Sequence, residues 1–505
     1  MKKTLFEAVV LVAGFSVLTR LLGFLFRIYL SRELGAELLG IYQAASSVFM
    51  VLLVLVSSGL PLAVSKISAR SEDMTKSNKT VSAALILGVL ISSMLVLIIL
   101  LLRSLLDNLF TDERCVDILI ILLPALICSA VYSVLRGAFW GERDYLSVCV
   151  TELIEQVLRI VFFVLLLNCG LTILDGAEIA GLSMTISCVL SALLVLLVYI
   201  KKRKGFASPK SEFKPILKSA VPVTGIRTLS SLIHPLIAII FPLLLVRAGY
   251  SNEMAMESYG VAMGMTFPLL LVPTTVVGAL SFTLIPELSS AIAKKQTNVI
   301  ENNIKTSVII TIFVSMLFVP LYLGAGEYIG NFLYANSLSG VYLERACWIM
   351  IPLGLSNITS SVLNSFNLEV KSFLSNIAGG LALILVILFC SGSIGVDALI
   401  WGFGVCMTLT LILNKYYIKK YTNVDFQIWG PLLKMVGLSI PCVILTALSV
   451  PILSKVFPNF VAMCLVGGIG CGSFMLLCWA FKLIDLTSVW VRIKQKRKCK
   501  ITNKS

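Results

Sequence analysis

Thr19-Arg20-Leu21-Leu22-Gly23-Phe24-Leu25-Phe26-Arg27 sets two arginines inside an apolar run that extends from about residue 5 to residue 30. Some 20 residues at ~1.5 Å each cover the ~30 Å hydrocarbon core of a bilayer, so the run reads as a first membrane-spanning helix. Arg20 and Arg27 are seven residues apart, which puts them on one helix face roughly 10 Å apart in depth. An arginine near mid-bilayer costs about 2.5–3.5 kcal/mol on insertion scales, so such a residue faces a bundle interior or a wet cavity. A cationic stripe in a cavity wall suits an anionic substrate. Alternatively, each arginine neutralises a glutamate on a neighbouring helix and only holds the bundle together.

Composition extends this reading to the whole chain. Of 505 residues, 58% are hydrophobic and 13% charged, with a mean hydropathy of +0.98. Soluble chains carry about 25% charged residues. The chain is an all-α polytopic membrane protein. Fourteen candidate spans emerge, at about 5–31, 38–64, 80–102, 115–136, 147–168, 177–200, 216–246, 258–285, 304–325, 345–366, 372–391, 395–416, 431–452 and 459–482. The basic start followed by an apolar run looks like a signal peptide, but its length and the spans that follow favour a retained first helix.

The net charge of +15 is a matter of location. Lys and Arg collect in alternate loops: around 66–79, 201–218, 294–305 and 415–420, and in the tail 492–504. Segments 168–177 and 326–343 have none. This is the positive-inside pattern, with both termini cytoplasmic and anionic membrane lipids as partners. Nucleic acid is not needed to explain it.

The basic linker at 201–215 divides the chain into an N-terminal lobe (1–200, spans one to six) and a C-terminal lobe (216–420, spans seven to twelve). A helix pair (431–482) and a basic cytoplasmic tail (483–505) follow. Two six-helix halves around a central site are a common transporter plan. Pro222, Pro235 and Pro242 interrupt span seven, and Pro268 and Pro273 span eight. Such breaks either border a substrate path or reflect the tolerance of membrane helices for proline.

Further charge lies within the spans. Span five carries Glu152, Glu155, Gln156 and Arg159. Spacings of three, four and seven put Glu152, Glu155 and Arg159 on one face, with Glu155 and Arg159 in the favourable acid-first order. The pair either neutralises itself within the helix or takes part in binding and gating. Span seven adds Arg227 and His234, again seven apart; the histidine is either a packing residue or a proton relay. Arg20, Arg27, Arg159 and Arg227 thus face two deep carboxylates, and the expected cavity is net positive. Arg20, Arg27, Arg159 and Arg227 are the candidate substrate-binding residues. Glu152, Glu155, Gln156 and His234 are the candidate gating or pairing residues.

Enzyme chemistry has no foothold. A single histidine excludes histidine-rich metal sites and a Ser-His-Asp triad finds no support. The 13 cysteines form no Cys-x-x-Cys pair. Cys464, Cys471 and Cys478 repeat every seven residues, which reads as packing. No phosphate-cradling Gly-x-x-x-x-Gly-Lys-Ser/Thr loop occurs, so no catalytic residue, metal or cofactor is expected.

Several stretches, taken together and in order, resemble the stage V sporulation protein B group of polysaccharide-type flippases. That group belongs to the superfamily of lipid II flippases, oligosaccharide flippases and multidrug-and-toxin extruders. The stretches are Thr19 to Phe24 through Arg27, Gly59-Leu60-Pro61-Leu62-Ala63-Val64-Ser65-Lys66, Leu135-Arg136-Gly137 with Gly141, Ile154-Glu155-Gln156-Val157-Leu158-Arg159, Val221-Pro222-Val223-Thr224 with Arg227, and Leu284-Ile285-Pro286-Glu287-Leu288-Ser289. The resemblance implies fourteen helices, with two lobes in a V that rock between inward-open and outward-open states. It also implies a lipid-linked glycan substrate whose pyrophosphate–saccharide head crosses a cationic cavity, and it sets Arg20 at a substrate-facing position. A cation or drug efflux carrier coupled to H⁺ or Na⁺ is the alternative, and it needs cavity acids. A scaffold for envelope-synthesis enzymes, docked through the tail, is a third.

Overall fold

The computed structural model describes residues 5–70, 74–169, 174–203, 207–209 and 212–483. Among these residues every regular element is helical and there is no strand. A polytopic chain has little other choice, because backbone polar groups in lipid must be satisfied within the element. Twelve stretches are long and apolar enough to cross a membrane. The expected fourteen differ from these twelve at two places. Leu11–Ala69 forms one continuous stretch of 59 residues, about three times what a single crossing needs. The helix Tyr145–Asn168 has the length of a span but carries Glu152, Glu155 and Arg159 and stands outside the twelve.

The chain divides into two compact units, Met1–Met265 with Ile384–Leu399, and Thr266–Leu383 with Ile400–Ser505. In the first, α1 (Leu5–Ser57), α2 (Gly59–Arg70), α3 (Met74–Leu101) and the short α4 (Arg103–Asp107) are followed by α5 (Arg114–Gly141), α6 (Tyr145–Asn168) and α7 (Gly176–Arg203). Then come α8 (Phe213–Ser231), α9 (Ile233–Arg247) and α10 (Asn252–Tyr259), which runs into a π-helical stretch, Gly260–Thr266. The expected loop between spans one and two is a single residue: α1 bends at Gly35, with φ 72° and ψ −179°. That conformation is essentially open only to glycine.

Apolar side chains of α2, α3, α5, α6, α7 and α8 form one core, with Leu60, Val81, Leu135, Phe139, Val148, Tyr199, Ile216 and Ala220 buried together. Ile216 and Ala220, beyond the basic linker at 201–215, belong to this core as well. Two glycines permit the approach. A Cβ on Gly59 would strike the Ala220 carbonyl and Thr224 Oγ1, and one on Gly137 would strike the Pro61 backbone. Close backbone contact at small residues is how helices associate where lipid supplies no hydrophobic drive. At one end of the unit Arg114 gathers Glu37 (2.5 Å) and Asp112 (2.8 Å).

The second unit holds α11 (Phe267–Leu270), α12 (Val272–Ala293), α13 (Thr297–Leu317), α14 (Val319–Tyr334) and α15 (Ser337–Ala346), the last leading through a short 3₁₀ turn into α16 (Met350–Ser365). It also holds most of α17 (Glu369–Ile394) and α18 (Asp397–Thr422), followed by α19 (Trp429–Val456) and α20 (Asn459–Ala480). Prolines act as helix starters here. Pro268 and Pro273 stand in the first turns of α11 and α12, where the missing N–H costs nothing. Likewise α8 and α9 part at Leu232, just before His234 and Pro235, while Pro222 and Pro242 stay within their helices. The basic tail expected at 483–505 lies, but for its first residue, outside the described residues.

Candidate cavity site

Within the first unit α2, α5, α6, α7 and α8, with the end of α1, enclose a cavity of about 520 Å³. Nine of its fifteen lining residues carry a hydroxyl or a charge. Ser57, Ser58, Ser65, Ser129, Ser133 and Tyr132 contribute hydroxyls, Arg136, Arg227 and Glu155 contribute charge, and Trp140 offers an indole face. The Oγ of Ser58 and the phenol oxygen of Tyr132 are buried and have no protein partner among the described residues. Such unpaired groups carry a desolvation cost that a bound polar ligand or water relieves.

Charges around the cavity are partly cancelled. Arg136 Nη2 lies 2.5 Å from Glu152 Oε1, bridging α5 and α6. Arg159 Nη2 lies 3.0 Å from Glu155 Oε1 one turn away on α6, and its buried Nε has no partner. Cys188 Sγ of α7 stands 3.8 Å from the same Glu155 oxygen. By contrast Arg227, exposed on α8, has no carboxylate partner among the described residues. The pairs sum to zero, and Arg227 leaves the cavity net positive.

The residues singled out from the sequence fall into three groups. Arg227 and Glu155 line the cavity, and Arg159 and Glu152 stand behind it as partners of Glu155 and Arg136. Arg20, Arg27, Gln156 and His234 are elsewhere. Arg20 is exposed on α1 with no partner among the described residues. Arg27 is half-buried and donates to Gln43 Oε1 at 3.2 Å. The Gln156 amide lies where a Cβ on Gly23 would meet it, on the side of α6 that faces α1, and His234 is exposed in the first turn of α9.

Arg136 is a cavity residue that sequence reasoning passed over. Hydropathy ends span four at about 136, whereas α5 continues to Gly141. The signal available was Glu152, a deep acid still in need of a cation.

Fold and cavity together define a polytopic helical membrane protein with a polar, partly charged chamber among its helices. The chain belongs to the polysaccharide biosynthesis protein family, whose pattern matches residues 6–277, more than half of its length. It is 24% identical over 447 residues to stage V sporulation protein B of Bacillus subtilis, covering 85% of this chain and 86% of that protein. It is 21% identical over 400 residues to lipid II flippase MurJ of the same organism, covering 72% and 73%. Among solved structures, lipid II flippase MurJ in an inward closed conformation superposes with a TM-score of 0.72 at 16% identity, covering 94% of this chain and all of that one. An inward-facing MATE-family multidrug transporter superposes at 0.64 with 17% identity, covering 80% and 94%.

Proposed function

We propose that this protein is an alternating-access flippase moving a lipid-linked saccharide precursor of cell-wall, spore-cortex or polysaccharide type across the bacterial cytoplasmic membrane. The observation that carries the reading is the unpaired Arg227 in a hydroxyl-rich cavity beside Arg136 and Trp140. A diphosphate asks for guanidinium donors, and a sugar asks for hydroxyl partners and a flat apolar face. The name of the lipid II flippase relative supports the same substrate class.

In this reading Arg227 and Arg136 meet the head group, and Arg20, Arg27 and Arg159 extend the cationic path. Glu152, Glu155, Gln156 and His234 hold or release charges during gating. The protein transports and catalyses no reaction. Fourteen crossings, grouped as lobes 1–200 and 216–420 with the linker 201–215, the pair 431–482 and the tail 483–505, keep both termini cytoplasmic. Envelope-synthesis enzymes that make or use the precursor are its partners. Lacking an ATP-binding loop, the carrier is driven by gradients, substrate flux or potential, where one charge crossing 100 mV releases about 2.3 kcal/mol.

The test is head-group translocation in vesicles reconstituted with a lipid-linked diphosphate saccharide. Arg227→Ala and Arg136→Ala are each expected to slow it at least about tenfold, the equivalent of roughly 1.4 kcal/mol. Unchanged rates in both variants overturn the site. Efflux is the second reading, resting on the MATE-like fold. Protection of cells against cationic dyes on expression would establish it in place of the first.

A further inference from the structure

A second polar constellation lies in the second unit, well apart in sequence from the cavity helices. α17 and α18 form an antiparallel hairpin, packed closely where Gly379 meets Cys406 and Thr410. The start of α17 therefore lies beside the end of α18. There Lys371 Nζ sits over the rings of Tyr417 (5.6 Å) and Tyr421 (5.8 Å). Lys420 Nζ sits over Tyr416 (5.7 Å) and Tyr421 (5.8 Å). Lys415 Nζ is 5.5 Å from the ring of the buried Phe426.

Asp425 draws in Lys419 at 2.8 Å and Lys415 at 3.9 Å, fixing segment 423–428 against the hairpin. Lys371 and Lys420 have no carboxylate partner among the described residues. Apolar side chains follow along the same two helices. Leu374 and Leu381 of α17 and Ile412 of α18 are exposed, and Tyr416 follows Ile412 one turn on.

We propose that this hairpin end binds the headgroup of an anionic glycerophospholipid, with Lys371 and Lys420 on the phosphate and Leu374 and Ile412 against the acyl chains. Tyrosines suit the headgroup level of a membrane because the ring is apolar and the hydroxyl wet. An ammonium held over a ring stays hydrated on its outer side and keeps its charge available. The lysines are also preset, so binding orders fewer side chains than at a mobile basic tail. Continuity of the patch with an exposed apolar stripe favours a lipid over a soluble anion.

Native mass spectrometry of the full-length protein in detergent, titrated separately with phosphatidylglycerol and phosphatidylcholine, tests this. Lys371→Gln/Lys420→Gln is expected to weaken the tightest phosphatidylglycerol binding about 25-fold, given about fivefold per lysine near an anionic surface. Phosphatidylcholine binding should not change. The control Lys294→Gln/Lys295→Gln, on exposed lysines after α12, should leave both unchanged, and Lys371→Arg/Lys420→Arg should keep the preference. Should the double variant fail to purify, Lys420→Gln alone, at the exposed end of α18, is expected to show about half the loss on a logarithmic scale. Undiminished phosphatidylglycerol preference in the glutamine variants, or equal loss in the control, overturns the proposal.

Discussion

At the scale of single residues, the cavity is governed by which arginines are free. Arg136 is bound to Glu152, so truncating it strands a carboxylate, whereas Arg227 leaves no partner behind. Removing one member of a buried pair is costly, but these side chains are 39% and 31% exposed, which reduces the penalty to about 1–2 kcal/mol. Arg136→Ala is therefore expected to lower the apparent melting temperature, and adding Glu152→Ala should recover most of that loss without restoring translocation. Arg227→Ala should leave melting unchanged. A double variant that recovers translocation as well would make Arg136 structural only. The pair Glu155–Arg159 was legible from the acid-first spacing alone. Glu152–Arg136 was not, because nothing in a linear sequence says which of several arginines a neighbouring helix presents.

Elements are set by local chemistry that the sequence states openly, except at their ends. Asp144 caps α6, accepting from the Ser147 N–H at 3.3 Å and from Lys202 Nζ at 2.5 Å. Partial burial opposes its ionisation, yet the bonds from Lys202 and Ser147 outweigh this and hold the carboxyl below its ordinary value of 3.8. A lowered folded-state value means the contribution is complete above 3.8 and is lost as pH falls through the lower folded value. Asp144→Asn keeps a capping side chain and removes the charge, so its stability deficit is expected to be about 0.5–1 kcal/mol at neutral pH. The deficit should shrink below pH 3.8. Melting curves of both proteins across this range check it, and a deficit that grows on acidification contradicts it. The breaks at Gly35 and Leu232 show the limit of pattern reading. Hydropathy gives the apolar lengths, but one glycine, or a proline in the first turn that follows, decides where a helix bends.

On the scale of the whole molecule, carrier and scaffold readings part at the tail. Deleting residues 491–505 is expected to spare translocation in vesicles if the helices do the work, and to abolish function in cells if the tail docks a partner. Measuring both in the same variant separates the two readings. The division into lobes illustrates a harder problem. The basic linker at 201–215 is the natural boundary by composition, and α8 beyond it packs on α2 and α3 through Gly59 and Ala220, so helix contacts also cross it. A linker reports where the chain is hydrophilic, not which helix faces it joins.

What the sequence settled by itself was the medium and the secondary structure. Long apolar runs with little charge leave helices in a bilayer as the solution, because every backbone group must be satisfied internally. It also showed that charges in those runs needed partners or water. Only the tertiary structure decided which charges those were. The consecutive helices α5 and α6 bring Arg136 to Glu152, α8 leaves Arg227 open to the cavity, and Arg27 turns to Gln43 across the bend in α1. Pairing depends on the rotation and depth of one helix against another. Those quantities come from side-chain packing at contacts such as Gly59 and Gly137, which hydropathy and periodicity do not encode.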